Sequence, residues 1–66
     1  MNKIKIYYGN NGESVIIETK KSALEILYLG KSNGYISCDD KFTKLILFSQ
    51  VTMIEKVGEG NEDLGR

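Results

Sequence analysis

The chain has 66 residues, of which 41% are apolar, and its nine basic and nine acidic side chains cancel to zero net charge. A chain this short buries only about 60% of the surface that its unfolded form exposes, so its stability is marginal, and the usual additional sources of stability are a disulfide, a metal or self-association. One cysteine and no histidine exclude an internal disulfide and a Cys/His metal site. We therefore predict a small protein that associates with itself, most simply as a homodimer.

The charge pattern also limits the partners and the location. Eight of the nine basic residues are lysines, whereas base and phosphate contacts favour arginine, so the composition argues against nucleic acid as a partner. No apolar run approaches the ~18–20 residues of a membrane helix, and the N-terminus lacks a signal-peptide core. We expect a cytoplasmic protein without a membrane partner, in which Cys38 is a reduced thiol.

The first part of the chain predicts a β-hairpin. Residues 3–8 alternate between polar and apolar side chains, which places Ile4 and Ile6 on one face of a strand. The Gly-Asn-Asn-Gly sequence at 9–12 predicts the turn, because Asn-Gly tolerates positive φ. Residues 14–19 supply the return strand. The glycines resemble a phosphate-binding loop only superficially, since the Gly-Lys-Ser/Thr ending of such loops is missing.

A helix is predicted over residues 22–29. Ser22 and Glu25 fit a capping box, and Gly30 stands where a two-turn helix would stop. Apolar residues occupy more than one side of this helix, which is typical of a helix buried against a sheet or another subunit. The same residues also alternate as in a strand, so the alternative is a β-strand over residues 23–29.

The second half of the chain supplies further strands around the stretch Phe42–Val57, which we expect to organise the core. A polar turn at 31–34 precedes a short strand at 35–38. The apolar run at 45–48 indicates a strand covered on both faces, followed by a bend at 49–50. Beyond the bend, the alternation predicts one face with Val51, Met53 and Val57 and the other with Thr52, Ile54 and Lys56.

Together these elements predict an α+β fold, in which a small antiparallel sheet combines a β-hairpin, a short helix and two to three further strands. The domain is expected to span residues 1–57, and the acidic, glycine-rich residues 58–66 are expected to form a disordered tail. If residues 23–29 form a strand, the alternative fold is an all-β, SH3-like small barrel.

Residues with catalytic potential are few. Cys38 has no histidine to act as its base, and Asp39-Asp40 is more typical of a turn held by an aspartate side chain than of a metal site. We therefore predict no catalytic residue, no cofactor and no metal, and a protein that is not an enzyme.

Binding is the function that the composition favours. Tyrosines bury a flat ring and offer a hydroxyl, which suits an interface, and lysines offer charge. The expected interaction residues are Tyr7, Tyr8, Tyr28, Tyr35, Lys20 and Lys21. For the homodimer we expect an interface through Leu24, Ile26 and Tyr28, or through the outward face of residues 45–48.

Three hypotheses follow for the function. The leading one is a protein–protein interaction module, an inhibitor or adaptor. The second is a protein that sequesters a small ligand or nucleotide between subunits, with Lys20, Lys21 and tyrosines around it. The third is a weak nucleic-acid binder that uses Lys3, Lys5, Lys20 and Lys21.

The small size, the richness in isoleucine, lysine and asparagine and the single arginine resemble accessory proteins of phages and mobile elements in low-GC Gram-positive bacteria. The resemblance implies a non-enzymatic protein that binds and blocks a host protein in the host cytoplasm, such as a component of a defence system. Some inhibitors of this kind sequester a nucleotide signal between subunits, which agrees with the second hypothesis.

Overall fold

Five strands and one helix form the part of the chain, residues 1–59, that the computed structural model describes. They are β1 (Asn2–Tyr8), β2 (Glu13–Thr19), α1 (Ala23–Asn33), β3 (Tyr35–Ser37), β4 (Leu45–Leu47) and, after a single 3₁₀ turn (Phe48–Gln50), β5 (Val51–Glu59). A three-stranded antiparallel sheet has the order β2-β1-β5, and β3 and β4 form a second, two-stranded antiparallel sheet. The α+β prediction is confirmed. Both sheets are open, so the alternative barrel is wrong.

The predicted hairpin is present with a regular register. Ile4 lies opposite Ile17, and Tyr8 and Glu13 form the last pair before a four-residue loop. In that loop the positive φ values belong to the two glycines, Gly9 at 75° and Gly12 at 74°. The asparagines between them do not adopt the left-handed conformation that we expected of Asn-Gly.

Strand β5 differs from the simple alternation expected of it. Its pairing with β1 is regular at Ile6↔Ile54 but shifts register between Tyr7 and Tyr8, and again between Lys3 and Ile4. Each shift inserts one extra β5 residue, which turns the following side chains to the other face. As a result Val51 and Ile54 both pack against the core. The prediction that Val51, Met53 and Val57 share one face of the strand is therefore wrong. Met53 and Val57 are exposed, whereas Val51 packs against the core.

The helix begins as predicted but ends later. Ser22 and Glu25 form the capping box, with the Ser22 hydroxyl accepting from the Glu25 N–H at 3.1 Å and the Glu25 carboxylate accepting from the Ser22 N–H at 3.0 Å. Gly30 does not stop the helix, because it lies inside it and is buried. The stop is at Gly34, which adopts a φ of 87° and donates its N–H to the Gly30 carbonyl at 2.8 Å.

Strand β4 is covered on one face only, against our expectation for residues 45–48. Ile46 is buried opposite Ile36 of β3, whereas Leu45 and Leu47 are exposed. Phe48 leaves the strand for the 3₁₀ turn and packs against the core. The apolar run is thus not explained by burial within residues 1–59.

The core consists of one cluster of buried side chains, and every one of them is isoleucine: Ile4, Ile6, Ile17, Ile26, Ile36 and Ile46. They come from β1, β2, α1, β3 and β4, so the cluster joins both sheets to the helix. The predicted tail begins at Gly58, but Gly58 and Glu59 are the last residues of β5. The rest of that prediction, residues 60–66, lies outside the described residues.

Candidate interaction surfaces

The two tyrosines at the end of β1 point to opposite faces of the sheet. Tyr8 is half-buried against the isoleucine core. Tyr7 lies on the outer face, where its hydroxyl donates to the Glu55 carboxylate at 3.0 Å and the Lys5 ammonium sits 5.0 Å from its ring centroid. Tyr7 is therefore tied to its neighbours on the sheet.

The four lysines considered for nucleic acid do not form one patch. Lys3 and Lys5 lie on the outer face of the sheet, where Glu18 is paired with Lys3 and Glu55 with Lys5. The remaining two, Lys20 and Lys21, lie in the exposed link between β2 and α1. Acidic neighbours on the sheet thus interrupt the positive charge that phosphates would need.

Tyr28 belongs to an exposed apolar face of the helix. Leu24, Leu27 and Tyr28 lie on one side of α1, as expected for positions i, i+3 and i+4. Tyr28 is 62% exposed and Leu24 57%. Leu24 and Leu27 also line a shallow groove whose other wall includes the exposed Met53 of β5. We call Leu24, Leu27, Tyr28 and Met53 the helix-face patch.

The helix-face patch matches the predicted dimer interface only in part. Leu24 and Tyr28 are on the surface, as that prediction requires. Ile26 faces the opposite way and is buried in the core, so it cannot contribute to an interface. The correction follows from helical geometry, because residue 26 lies about 200° around the axis from residue 24.

A cleft of about 410 Å³ opens on the other side of the helix, between α1, the end of β2 and the segment after β3. Buried isoleucines form its floor, and its rim includes Lys21, Leu29, Tyr35 and Phe42. This cleft brings together two of the six predicted interaction residues, Lys21 and Tyr35. The other four lie elsewhere on the domain.

The turn after β3 carries Phe42 and is held by the Asp39 side chain, as the sequence predicts. One carboxylate oxygen accepts the Thr43 N–H at 2.9 Å and the other accepts the Thr43 hydroxyl. The Ser37 hydroxyl donates to the Asp39 carbonyl. This network fixes a turn in which Phe42 has a φ of 57°.

Phe42 is the surface residue that sequence reasoning missed. It is 58% exposed, its ring lies edge-on to Tyr35 with centroids 6.5 Å apart, and it alone among the non-glycine residues of 1–59 has positive φ. Such a backbone costs roughly 1–2 kcal/mol for a residue with a side chain. Strain of this kind is held where the surrounding structure over-determines it, here by Asp39 and Thr43. No local sequence signal marks the position.

The Asp39 carboxylate gives this turn a measurable pH response. Hydrogen bonds from Thr43, first from its side chain and then from its backbone, lower the pKa of Asp39 below its ordinary value of 3.8. Because the folded pKa is the lower one, the contribution to stability is present above pH 3.8 and is lost as the pH falls through the lowered pKa. Asp39 is fully exposed, so the effect is confined to the turn.

Thr43→Val is therefore expected to raise the pKa of Asp39 towards its ordinary value, since it removes the side-chain hydrogen bond that is the main cause of the lowered pKa. NMR titration of the carboxyl carbon measures this shift directly. Asp40, which has no resolved hydrogen bond to Thr43, is the internal reference in the same spectrum. An unchanged Asp39 titration would show that the Thr43 hydroxyl does not bond to the Asp39 carboxylate.

Cys38 sits at the edge of the core rather than in a reactive setting. Burial is the main cause that raises the pKa of its thiol, Asp39 adds to the rise and Lys44 opposes it. A raised pKa keeps the thiol protonated at neutral pH. Because only the thiolate is a strong nucleophile, Cys38 is unreactive in this setting. Within residues 1–59, no group of three or more Cys, Asp or Glu side chains is placed to hold a metal ion.

The fold and these surfaces define a small α+β protein with an exposed apolar helix face. No family model matches the chain, and no curated protein or solved structure matches it either. Among residues 1–59 no helix is long and apolar enough to cross a membrane.

Proposed function

We propose that this protein is a non-enzymatic interaction module that binds another protein through the helix-face patch and works as a homo-oligomer. The observation that carries the proposal is the exposure of Tyr28 and Leu24, 62% and 57%, side by side on the only helix of residues 1–59. Clustered apolar side chains on a small domain mark a binding surface rather than a structural need.

The chemistry of the patch indicates what its partner offers. Leucine, leucine and tyrosine at positions i, i+3 and i+4 are the pattern by which an amphipathic helix enters an apolar groove. Glu25 and Lys31 flank the patch on the same helix and supply a polar rim. We therefore propose a partner protein with an apolar groove, in which Tyr28 is the central anchor.

The composition suggests where such a partner is found. The resemblance to accessory proteins of phages and mobile elements supports an inhibitor that acts on a host protein in the host cytoplasm, a defence protein being one example. Blocking a groove needs no catalytic residue, which agrees with a chain that has no histidine and a half-buried, protonated cysteine.

The proposal is tested by placing a photo-crosslinking amino acid at position 28 in cells of a low-GC Gram-positive host. We expect a discrete crosslinked product with one host protein, and no such product when the probe is at Lys3 on the outer face of the sheet. Binding to the captured partner should weaken about 30-fold or more in Tyr28→Ala, since losing an aromatic anchor costs ~2 kcal/mol or more.

The matched control is Tyr7→Ala, which removes the same ring from the outer face of the sheet. It should leave the affinity for the partner within about two-fold, because rim and remote contacts contribute little. Equal losses in the two variants would place the binding energy elsewhere than the helix-face patch.

A second candidate function rests on the cleft beside α1. Its volume of about 410 Å³ falls within the ~300–1,000 Å³ range of ligand pockets, and Tyr35 and Phe42 offer rings above an apolar floor. Along its lining the acidic Glu18, Asp39 and Asp40 outnumber Lys21, so a neutral or cationic small ligand fits this cleft better than an anionic nucleotide. Native mass spectrometry of protein purified from host cells tests this candidate, because a bound ligand would appear as added mass that Tyr35→Ala removes.

A further inference from the structure

The three-stranded sheet has two edges with opposite properties. Strand β5 is a poor edge for pairing, because two register shifts distort it and Glu55 lies at its centre. Bulges and charges are the devices by which proteins keep an edge strand from pairing with another chain. A symmetric antiparallel pairing of β5 about its centre would also place Glu55 directly opposite its own copy, which is unfavourable.

Strand β2, at the other edge, has no bulge, and its two charges, Glu13 and Glu18, lie away from its centre. Its seven residues pair with β1 without a register shift, and Ser14 to Ile17 carry no charge. Among residues 1–59, β2 has β1 as its only strand neighbour. Ile16 is the central residue of β2 and is 55% exposed on the outer face. A regular edge with an uncharged centre and an exposed isoleucine in its middle is suited to strand addition.

We propose that two copies of the chain pair β2 with β2 in antiparallel orientation, about a two-fold axis at Ile16. Two three-stranded sheets would then form one continuous sheet. This inference deepens the homo-oligomer part of the proposed function by naming its surface. It leaves the helix-face patch free for the partner protein.

The charges of β2 do not oppose each other in this register. Glu13 lies opposite the partner's Thr19, and Ser14 lies opposite the partner's Glu18. Each glutamate of β2 therefore faces a neutral hydroxyl side chain. Like charges placed directly opposite each other would weaken an antiparallel sheet.

Apolar side chains support the pairing on both faces. Ile16 meets the partner's Ile16 on the outer face, and the half-buried Val15 lies opposite the partner's Ile17 on the core face. Leu45 and Leu47, exposed on β4, line one depression together with Ser14 and Val15 of β2. A second copy on the β2 edge thus lies next to the apolar side chains that β4 leaves uncovered.

A charge-swap experiment tests the axis. Ile16→Lys and Ile16→Glu place like charges against each other at the axis, so each variant alone should dimerise at least tenfold more weakly than the original chain in analytical ultracentrifugation. An equimolar mixture of the two should recover the dimer, because lysine then faces glutamate. Because residue 16 is exposed, both monomers should keep the circular dichroism spectrum of the folded chain. Leu24→Ser should dimerise normally.

A cysteine experiment tests the register independently. In a Cys38→Ser background, Ile16→Cys should form a disulfide dimer under mild oxidation, since opposite residues of an antiparallel pair lie about 4.5–5.5 Å apart, within disulfide range. Ser14→Cys faces the partner's Glu18 instead and should crosslink far more slowly. Any of three results would overturn the proposal. The original chain could be monomeric, the dimer could be unaffected by either charge at position 16, or positions 14 and 16 could crosslink equally fast. Photo-crosslinking at position 28 would still report on the host partner, so the two proposals fail separately.

Discussion

An Ile6→Ala variant is expected to lose a large share of the protein's free energy of unfolding. Ile6 is completely buried at the centre of β1, with Val15 and Ile54 as its neighbours in the adjoining strands. Truncating a buried isoleucine costs about 2–5 kcal/mol, because the lost contacts leave a cavity. The whole chain has only ~3–10 kcal/mol of stability to lose, at roughly 0.05–0.15 kcal/mol per residue. Urea denaturation followed by circular dichroism measures the change.

Ile6→Val is the graded control, because it removes a single methylene from the same site. It should cost about 0.5–1.5 kcal/mol and leave the chain folded. If Ile6→Ala lowered the free energy of unfolding by no more than Ile6→Val, the isoleucine cluster could not be the centre of the core.

The elements that the sequence predicts well are those specified by neighbouring residues. The hairpin follows from alternation and a glycine-flanked turn, and the helix start follows from Ser22 and Glu25 three residues apart. The faces of β5 are different, because they depend on where β5 shifts against β1. No pattern within residues 51–59 marks those shifts, so alternation assigned Met53 to the wrong face.

The candidate surfaces were predicted by residue type and not by position. Tyrosine was expected at an interface, and Tyr28 does lie on an exposed apolar face, while Tyr8 is half-buried against the core. Separating the two required knowing how α1 packs and which side of β1 faces it. Phe42 was missed for a related reason, since its exposure depends on a turn that Asp39 and Thr43 close through space.

Gly30 shows the limit of local signals most clearly. Glycine after an apolar helical run usually marks a helix end, because it adopts a left-handed backbone without strain. Here the requirement is space. A Cβ on Gly30 would lie 2.6 Å from Phe48 Cδ1 and 2.9 Å from Ile36 Cγ1. The glycine lets α1 approach β3 and the 3₁₀ turn closely, which only the tertiary structure reveals.

Gly30→Ala should therefore destabilise the protein, although the same change in an exposed helix stabilises it by about 1 kcal/mol. Ile36 is buried and cannot move away from the new methyl group. Overpacking of this kind costs about 1–3 kcal/mol, so after the helix gain is subtracted the free energy of unfolding is expected to fall by up to about 2 kcal/mol. Ser32→Ala, at an exposed position of the same helix, is the control and should be neutral or stabilising.

A double-mutant cycle with Phe48→Leu separates crowding from any other cause. The smaller side chain removes the ring atoms nearest to the new Cβ, so Gly30→Ala should cost less in the Phe48→Leu background than in the original chain. Residues in contact show interaction energies of about 0.5–3 kcal/mol in such cycles. Independent effects at the two sites, or a Gly30→Ala variant more stable than the original, would mean that the helix does not need glycine here to reach the core.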